Sequence, residues 1–255
     1  MTTQTSTNEA HKMLNQMQPY LDKALPGFMC SDRLIMLALA ELRKNPNLNK
    51  CSPKSICGTI MTCAQLGLEP GLSGMVYLIP RGEEATISLG YKGMIELAYR
   101  SERIVSVEAA CVYEKDEFSM KRGTNPSIDH SPAVMERGAM IAVYAVVTMK
   151  NCTKQFDFMN IDDILKIKSR SKSGGYGPWV TDFEQMAQKT VIRRLLKLIP
   201  SSVSLNAAIC LDEENDRGEQ RMKDIVEDIL SENEKNANVI DIQSQSDKLI
   251  DKLGG

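Results

Sequence analysis

Three cations stand in register on one predicted helix. In the stretch GGYGPWVTDFEQMAQKTVIRRLLKLIP, which opens at Gly174 and closes at Pro200, Lys189, Arg193 and Lys197 recur at i, i+4 and i+8. On a 3.6-residue period they fall one above another. Like charges stacked in this way repel. An extended anion relieves them, and a sugar–phosphate backbone has the required form; the bland alternative is an ordinary solvated face. Phe183, Ala187, Val191, Leu195 and Leu198 take another face, widened by Ile192, Leu196 and Ile199. The helix is therefore expected to be mostly buried, with a narrow basic stripe left over. Arg194 lies nearer the apolar face, where it could meet a phosphate or pair with a buried acid.

A second basic run, KIKSRSK, lies just upstream and carries Lys166, Lys168, Arg170 and Lys172. It leads into Gly174-Gly175-Tyr176-Gly177-Pro178, a turn that no helix tolerates. Trp179 follows, the only tryptophan, and two readings of it stand: a stacking surface or a core residue. Two basic elements flanking a flexible aromatic turn describe a groove able to grip a backbone and stack bases.

Other chemistries leave no trace. There is no GxxxxGK(S/T) after a strand, no GxGxxG, no GxSxG, no HExxH and no EF-hand loop, so nothing here holds a nucleotide, activates a serine or binds zinc in a known pattern. Asp162-Asp163 is the tightest acidic pair near the basic region, and its place in the first turn of a helix accounts for it. His11 and His130 have no visible triad partner. The seven cysteines are scattered, without a CxxC pair, and read as reduced thiols of a cytoplasmic protein. No catalytic residue, cofactor or metal is expected.

Composition is that of an ordinary soluble domain, 42% hydrophobic and 25% charged, with no apolar run long enough to span a membrane. The net charge of −2 hides a division. Residues 211–255 hold thirteen acids and six bases, whereas the preceding 210 residues hold twenty acids and twenty-five bases. A mildly basic body with an acidic tail suits a nucleic-acid binder whose tail does something else.

The elements that must position these groups can be read from period and punctuation. Residues 1 to 8 look unstructured. Helices are expected over Asn8 to Leu25, from a Ser31-Asp32 cap to Asn45, and from Ser52-Pro53 to Gly67. Strands follow at Met75 to Pro80 and Ala85 to Leu89, then a helix begins at Gly90-Tyr91-Lys92-Gly93. On it Lys92, Glu96, Tyr99 and Arg103 share a face if the helix reaches that far. Ile104 to Tyr113, Ala139 to Met149 and Phe156 to Met159 read as strands, and the polar segment from Glu114 to Glu136 as a loop or weak hairpin. Asn160 caps a helix, Val203 to Leu211 forms another, Asp212 to Arg217 is a charged linker, and Arg221 to Leu230 is an amphipathic helix. The fold class is α+β: N-terminal helices, a central antiparallel β-meander of about five strands with an inserted helix, and C-terminal basic helices.

Three stretches then read together: CAQLGLEPG from Cys63 to Gly71, LGYKGMIELA from Leu89 to Ala98, and Gly177-Pro178-Trp179 followed by Met186, Lys189-Thr190 and Ile192-Arg193-Arg194-Leu195. Their order and content resemble the RecT family of phage and prophage single-strand annealing proteins, and the last stretch also resembles the related Redβ group. The resemblance implies a protein that binds single-stranded DNA, anneals it to its complement without ATP to promote homologous recombination, and assembles as a homo-oligomeric ring or helical filament. It implies a 5′-to-3′ exonuclease as partner. Carried onto this chain, Lys189, Arg193, Arg194 and Lys197 face phosphates, Trp179 lines or braces the groove, and Tyr91 and Lys92 form a second wall. Tyr99, Arg103, Lys168, Arg170, Lys172 and Tyr176 complete the expected DNA-binding set. Residues 1–211 are expected to form the binding, annealing and oligomerisation domain. Residues 212–255 are expected to form an acidic, largely flexible tail and a candidate docking segment for a host single-strand-binding protein.

Overall fold

Proline and glycine decide where the first helices stop. The computed structural model describes residues 2–71, 73–199 and 202–217. Helix α1 (Thr2–Gln16) gives way at Met17 to a short α2 (Gln18–Ala24), because Pro19 has no N–H to continue the ladder. The expected single helix from Asn8 is thus two, and it starts at Thr2. Helix α3 (Ser31–Lys44) begins at Ser31 itself, with Cys30 at the cap and no side-chain cap bond. The side chains expected to cap it are engaged elsewhere: Gln18 Nε2 donates to Asp32 at 2.7 Å and to Ser31 at 3.4 Å. A 3-10 turn (Pro46–Lys50) precedes α4 (Pro53–Leu66), where Ser52 Oγ accepts from the Ser55 N–H at 3.2 Å.

Over the described residues the chain divides into two compact units, residues 2–65 with 78–86, and residues 66–77 with 87–217. The strand β1 (Val76–Arg81) and its hairpin partner β2 (Glu84–Leu89) contribute their tip to the first unit and their base to the second. In the first unit the apolar helix faces bury Leu14, Met17, Leu21, Leu34, Ala38, Leu42, Leu48, Ile56 and Ile60. The hairpin tip is tied on through Ser52 N–H to the Glu83 carbonyl at 2.7 Å and Ala85 N–H to Ser55 Oγ at 2.9 Å. Burial pushes the Cys57 and Cys63 thiols up to about 12, so both stay protonated and inert.

The second unit is built on a three-stranded antiparallel sheet in the order β3 (Ile104–Tyr113), β6 (Met140–Met149), β7 (Lys154–Asn160). Strand alternation gives it two different faces. Val143, Ala145 and Val147 of the central strand are buried beneath α8 (Phe183–Leu196), which crosses all three strands. Tyr144, Val146 and Thr148 point the other way, toward a second hairpin, β4 (Glu117–Lys121) and β5 (Ser127–Ser131). Phe118 of that hairpin stacks on Phe158 with ring centroids 5.7 Å apart. The polar segment read as a loop or weak hairpin is therefore a hairpin. Among the described residues there are seven strands in three small sheets, where one meander of about five was expected.

Helices frame the sheet: α5 (Tyr91–Arg100), α6 (Ile161–Arg170), the single turn α7 (Pro178–Thr181), and α9 (Val203–Arg217). Asn160 caps α6 by accepting from the Asp163 N–H at 2.8 Å, as its sequence indicated. Two glycines allow approaches that no other residue could. A Cβ on Gly90 would lie 2.1 Å from the Gly74 carbonyl oxygen, and one on Gly174 would lie 2.0 Å from that of Lys168. The residues from Asp212 to Arg217 are not a linker: they are the last turns of α9, with Asp212 and Asn215 buried. The helix expected at Arg221 to Leu230 lies outside the described residues.

Trp179 is 2% exposed and packs against Phe183 with centroids 6.0 Å apart, so of its two readings the structure takes the core. Its indole N–H is buried without an acceptor among the described residues, a cost of about 1–3 kcal/mol that burial of so large a ring outweighs. Trp179→Ala is expected to destabilise the protein by about 3–5 kcal/mol, seen as a shift of the urea unfolding midpoint in the absence of DNA.

Candidate nucleic-acid interface

The stripe on α8 is formed as its spacing dictates, but Lys189 and Arg193 face inward and only Lys197, just past the helix end, is exposed. Lys189 is 5% exposed and Arg193 8%. Lys189 Nζ lies 3.0 Å from the Asp212 carboxylate and 3.4 Å from Ser88 Oγ. Arg193 donates to Asp212 at 2.9 Å and to Asp216 at 2.6 Å. Lys197 pairs with Glu213 at the same junction. The expectation of a solvated stripe is corrected here, for a plain reason. Asp212 and Asp216 are themselves four residues apart on α9, so they present carboxylates at the same helical repeat as the cations they meet. The extended anion that the three cations call for is supplied by the chain itself.

Asp212 does more than neutralise charge. It is wholly buried and also accepts the Leu89 N–H at 2.8 Å, while Asn215, one turn on, donates to the Ile87 carbonyl at 2.7 Å. Strand β2, the start of α5, α8 and α9 therefore meet at one carboxylate. Burial opposes the Arg193 charge, yet Asp212, Asp216 and Glu213 outweigh it and raise its pKa above the usual guanidinium value.

Arg194 took the second course its angle allowed. It grips Asp157 through both guanidinium branches and donates to the Phe158 carbonyl at 2.9 Å. Arg122 reaches the same carboxylate at 2.9 Å. Burial alone would raise the Asp157 pKa, but the two arginines bring it below the ordinary value. Leu198, assigned to the apolar face, is exposed because the helix has already ended at Leu196.

Among the other expected contacts, Lys92, Arg103, Arg170, Lys172 and Tyr176 are exposed, Tyr176 by 62%. Tyr91 is half-buried at the start of α5. Tyr99 lies near the far end of that helix, its hydroxyl accepting the Val107 N–H at 3.4 Å, and Arg103 falls beyond the end at Arg100, off the helical face it was expected to share. Lys168 lies over the Phe183 ring, 5.3 Å from its centroid. The glycine turn is joined to α9 by the Lys172 N–H, which donates to the Asp216 carbonyl at 3.2 Å. So the basic run, the turn and the start of α5 do converge on α8 and α9. What stands exposed at that place is Arg170 and Lys172 with the turn, while Lys166 pairs with Asp163 at 3.2 Å.

A second polar cluster escaped the sequence. His130 bridges Asp116 and Tyr144, with its ring nitrogens 3.1 Å from each. Arg137 binds Asp116 at 2.9 and 2.6 Å and lies 4.1 Å over the Tyr113 ring. The Arg137 guanidinium, with the Ala133 and Tyr113 N–H groups and His130, holds the Asp116 carboxyl far below the usual carboxylate range despite its burial. The partners of His130 lie just before β4 and on β6, fourteen residues away on either side, and no spacing rule announced them. Among the described residues no group of three or more His, Cys, Asp or Glu could hold a metal ion, and no helix is long and apolar enough to cross a membrane.

The motifs that carry the resemblance now have addresses in the fold. The Gly67 turn receives the Arg100 guanidinium on the carbonyls of Leu66 and Gly67 at 3.0 and 2.9 Å, GYKG opens α5 where Asp212 binds Leu89, and GPW opens onto α8. They define a protein of DNA recombination and single-strand annealing. The chain belongs to the RecT family, whose profile matches residues 32–227. It is 41% identical to Protein RecT of Escherichia coli (strain K12) over 206 residues, which is 77% of this chain and 77% of that relative. It is 27% identical to YqaK of Bacillus subtilis (strain 168) over 169 residues, 66% of this chain and 59% of that one.

Two outcomes follow from these geometries. Asp212→Ala leaves two buried cations sharing one fewer carboxylate and is expected to cost about 3–5 kcal/mol, more than Lys189→Met, in denaturant unfolding of the free protein. Asp116 ionises more readily folded than unfolded, so its contribution is complete above about pH 4, the ordinary carboxylate value, and drains away as the pH falls toward its depressed folded value. Asp116→Asn is expected to flatten that acid limb in melts taken between neutral and low pH.

Proposed function

We propose that this protein pairs complementary single strands of DNA without hydrolysing a nucleotide, and that it does so as a ring or helical filament laid along the strand. Membership of the RecT family across residues 32–227 carries the reading. The geometry supports it through the exposed Arg170 and Lys172, with Lys166, leading into the exposed Tyr176 at the glycine turn, and through Lys92 at the start of α5. Cations of this kind hold phosphates without reading sequence and leave the Watson–Crick edges free. Duplex formation itself releases about 1.4 kcal/mol per base-pair step, so the protein needs to align strands and need not form or break a covalent bond.

Lys189 and Arg193 serve the same function at one remove, by fixing the helix against which the turn is built. A 5′-to-3′ exonuclease would supply the strand, and a host single-strand-binding protein is a candidate partner for the acidic residues after α9. The cytoplasm is where such partners and DNA are met.

The test uses two complementary labelled oligonucleotides and no nucleotide. Pairing is expected to be faster with the protein than without, and unchanged rates would overturn the reading. Tight binding with slowed pairing would instead mark a passive coat. The R170E/K172E variant should lose affinity for all sequences alike, and its log–log salt slope should be shallower by about 0.7 for each phosphate contact removed.

A further inference from the structure

Two consecutive apolar side chains stand in water on a loop that is otherwise held firmly. Val134 and Met135, between β5 and β6, are 98% and 77% exposed. Beneath them the buried Asp116 carboxylate accepts the Ala133 N–H at 2.9 Å and binds Arg137 on the loop's far side. The Lys115 N–H donates to the Arg137 carbonyl at 3.1 Å, and the Ala139 N–H to Glu114 at 3.2 Å. Glu136 takes a left-handed φ of 48°, a conformation that non-glycine residues adopt at a cost. The loop thus gives up conformational freedom to point two apolar tips outward, where they contribute nothing to folding.

The same unit has a hollow whose lining mixes apolar and polar groups. A cavity of about 690 Å³ opens between the β4–β5 hairpin and the outer face of the sheet, lined by Ile128, Tyr144, Val146 and Phe156 with Glu108 and Lys154 at its sides. Val146 is paired in register with Glu108 on one strand and Phe156 on the other, and Lys154 lies opposite Thr148. Val146 and Phe156 thus give the floor an apolar strip, with His130 and Thr148 beside it, an acid on one flank and a lysine on the other. The loop carries the opposite pair: Lys115 and Glu136, 3.3 Å apart, beside the apolar tips. One cation and one anion make the hollow a poor seat for a phosphate chain, which calls for several cations.

We propose that the Val134–Met135 knob of one copy of this chain seats in the hollow of a second copy, with Lys115 toward Glu108 and Glu136 toward Lys154. This rests on the self-assembly reading above and names a surface for it. Donor and acceptor surfaces differ, so the contact is head to tail and repeats into a ring or a filament. Two side chains bury much less than the roughly 1,000 Å² of a stable interface, so the knob is the anchor of a larger contact.

The experiment reads assembly by sedimentation and mass photometry, with and without an oligonucleotide, and folding by thermal melts. V134D/M135D changes only exposed positions; it should melt like the wild type and raise the half-assembly concentration by at least about tenfold, the loss of one buried anchor. E108K/K154E should also weaken assembly, and adding K115E/E136K to the same chain should restore it. Wild-type assembly by V134D/M135D, or no restoration in the four-fold variant, overturns this contact alone. A wild-type chain that never assembles overturns both the contact and the self-assembly reading. Loss of strand binding in E108K/K154E, with V134D/M135D binding normally, would make the hollow a nucleic-acid seat and would also overturn the proposal.

Discussion

One buried carboxylate ties together elements that lie far apart along the chain. Asp212 accepts from the Leu89 backbone, from Lys189 and from Arg193, and so joins the end of β2, the helix under the sheet and α9. Two cations taken out of water are tolerable only because this acid, with Asp216 beside it, completes their hydrogen bonds. The arrangement fixes the slide of α9 along α8, since a shift of one residue would turn the carboxylates away from both cations. It also fixes what the protein can offer a ligand. Two of the three cations that the sequence displays as a stripe are consumed inside the fold, while Arg170 and Lys172 of the run that ends at the glycine turn stay exposed.

The sheet separates two kinds of work. Its inner face is closed by α8 with small and branched side chains, Val143, Ala145 and Val147, and by the Asp157 site that Arg194 and Arg122 share. Its outer face is aromatic, half-open and roofed by the polar hairpin. That hairpin has few apolar residues of its own, and Phe118, packed among Phe158, Tyr144 and His130, is what seats it. Asp116 then stiffens the connection back to β6. A unit made this way has a rigid interior and a shaped exterior, which suits a protein whose substrate is a flexible chain.

A single-strand annealing protein of the RecT family has to hold its strands in place. Pairing two strands requires alignment and relief of phosphate repulsion, both of which are equilibrium effects of well-placed cations. The buried cations of α8 hold that helix against α9, to which the glycine turn is tied, and Arg170 and Lys172 stand exposed beside it.

Much of the fold was legible in residue order. Strand β3 and helix α6 lie where their patterns put them, as do the hairpin turn at Gly82 and the cap at Asn160, because period, turn chemistry and capping are local properties. The family was legible too, since its motifs are contiguous strings. The break at Met17, the strands β4 and β5, and the helical state of Asp212 to Arg217 were not. The break has a local cause, Pro19, that the helical pattern around it masked; the other two segments are polar or short, and they take their structure from partners distant in sequence: Phe158 for the hairpin, Lys189 and Arg193 for α9. The stripe shows the limit most clearly. Sequence determined that Lys189, Arg193 and Lys197 share a helix face and that an anion must meet them; only the tertiary structure decided that the anion is Asp212 and its neighbours, because helical spacing sets which side chains align but says nothing of what packs against them.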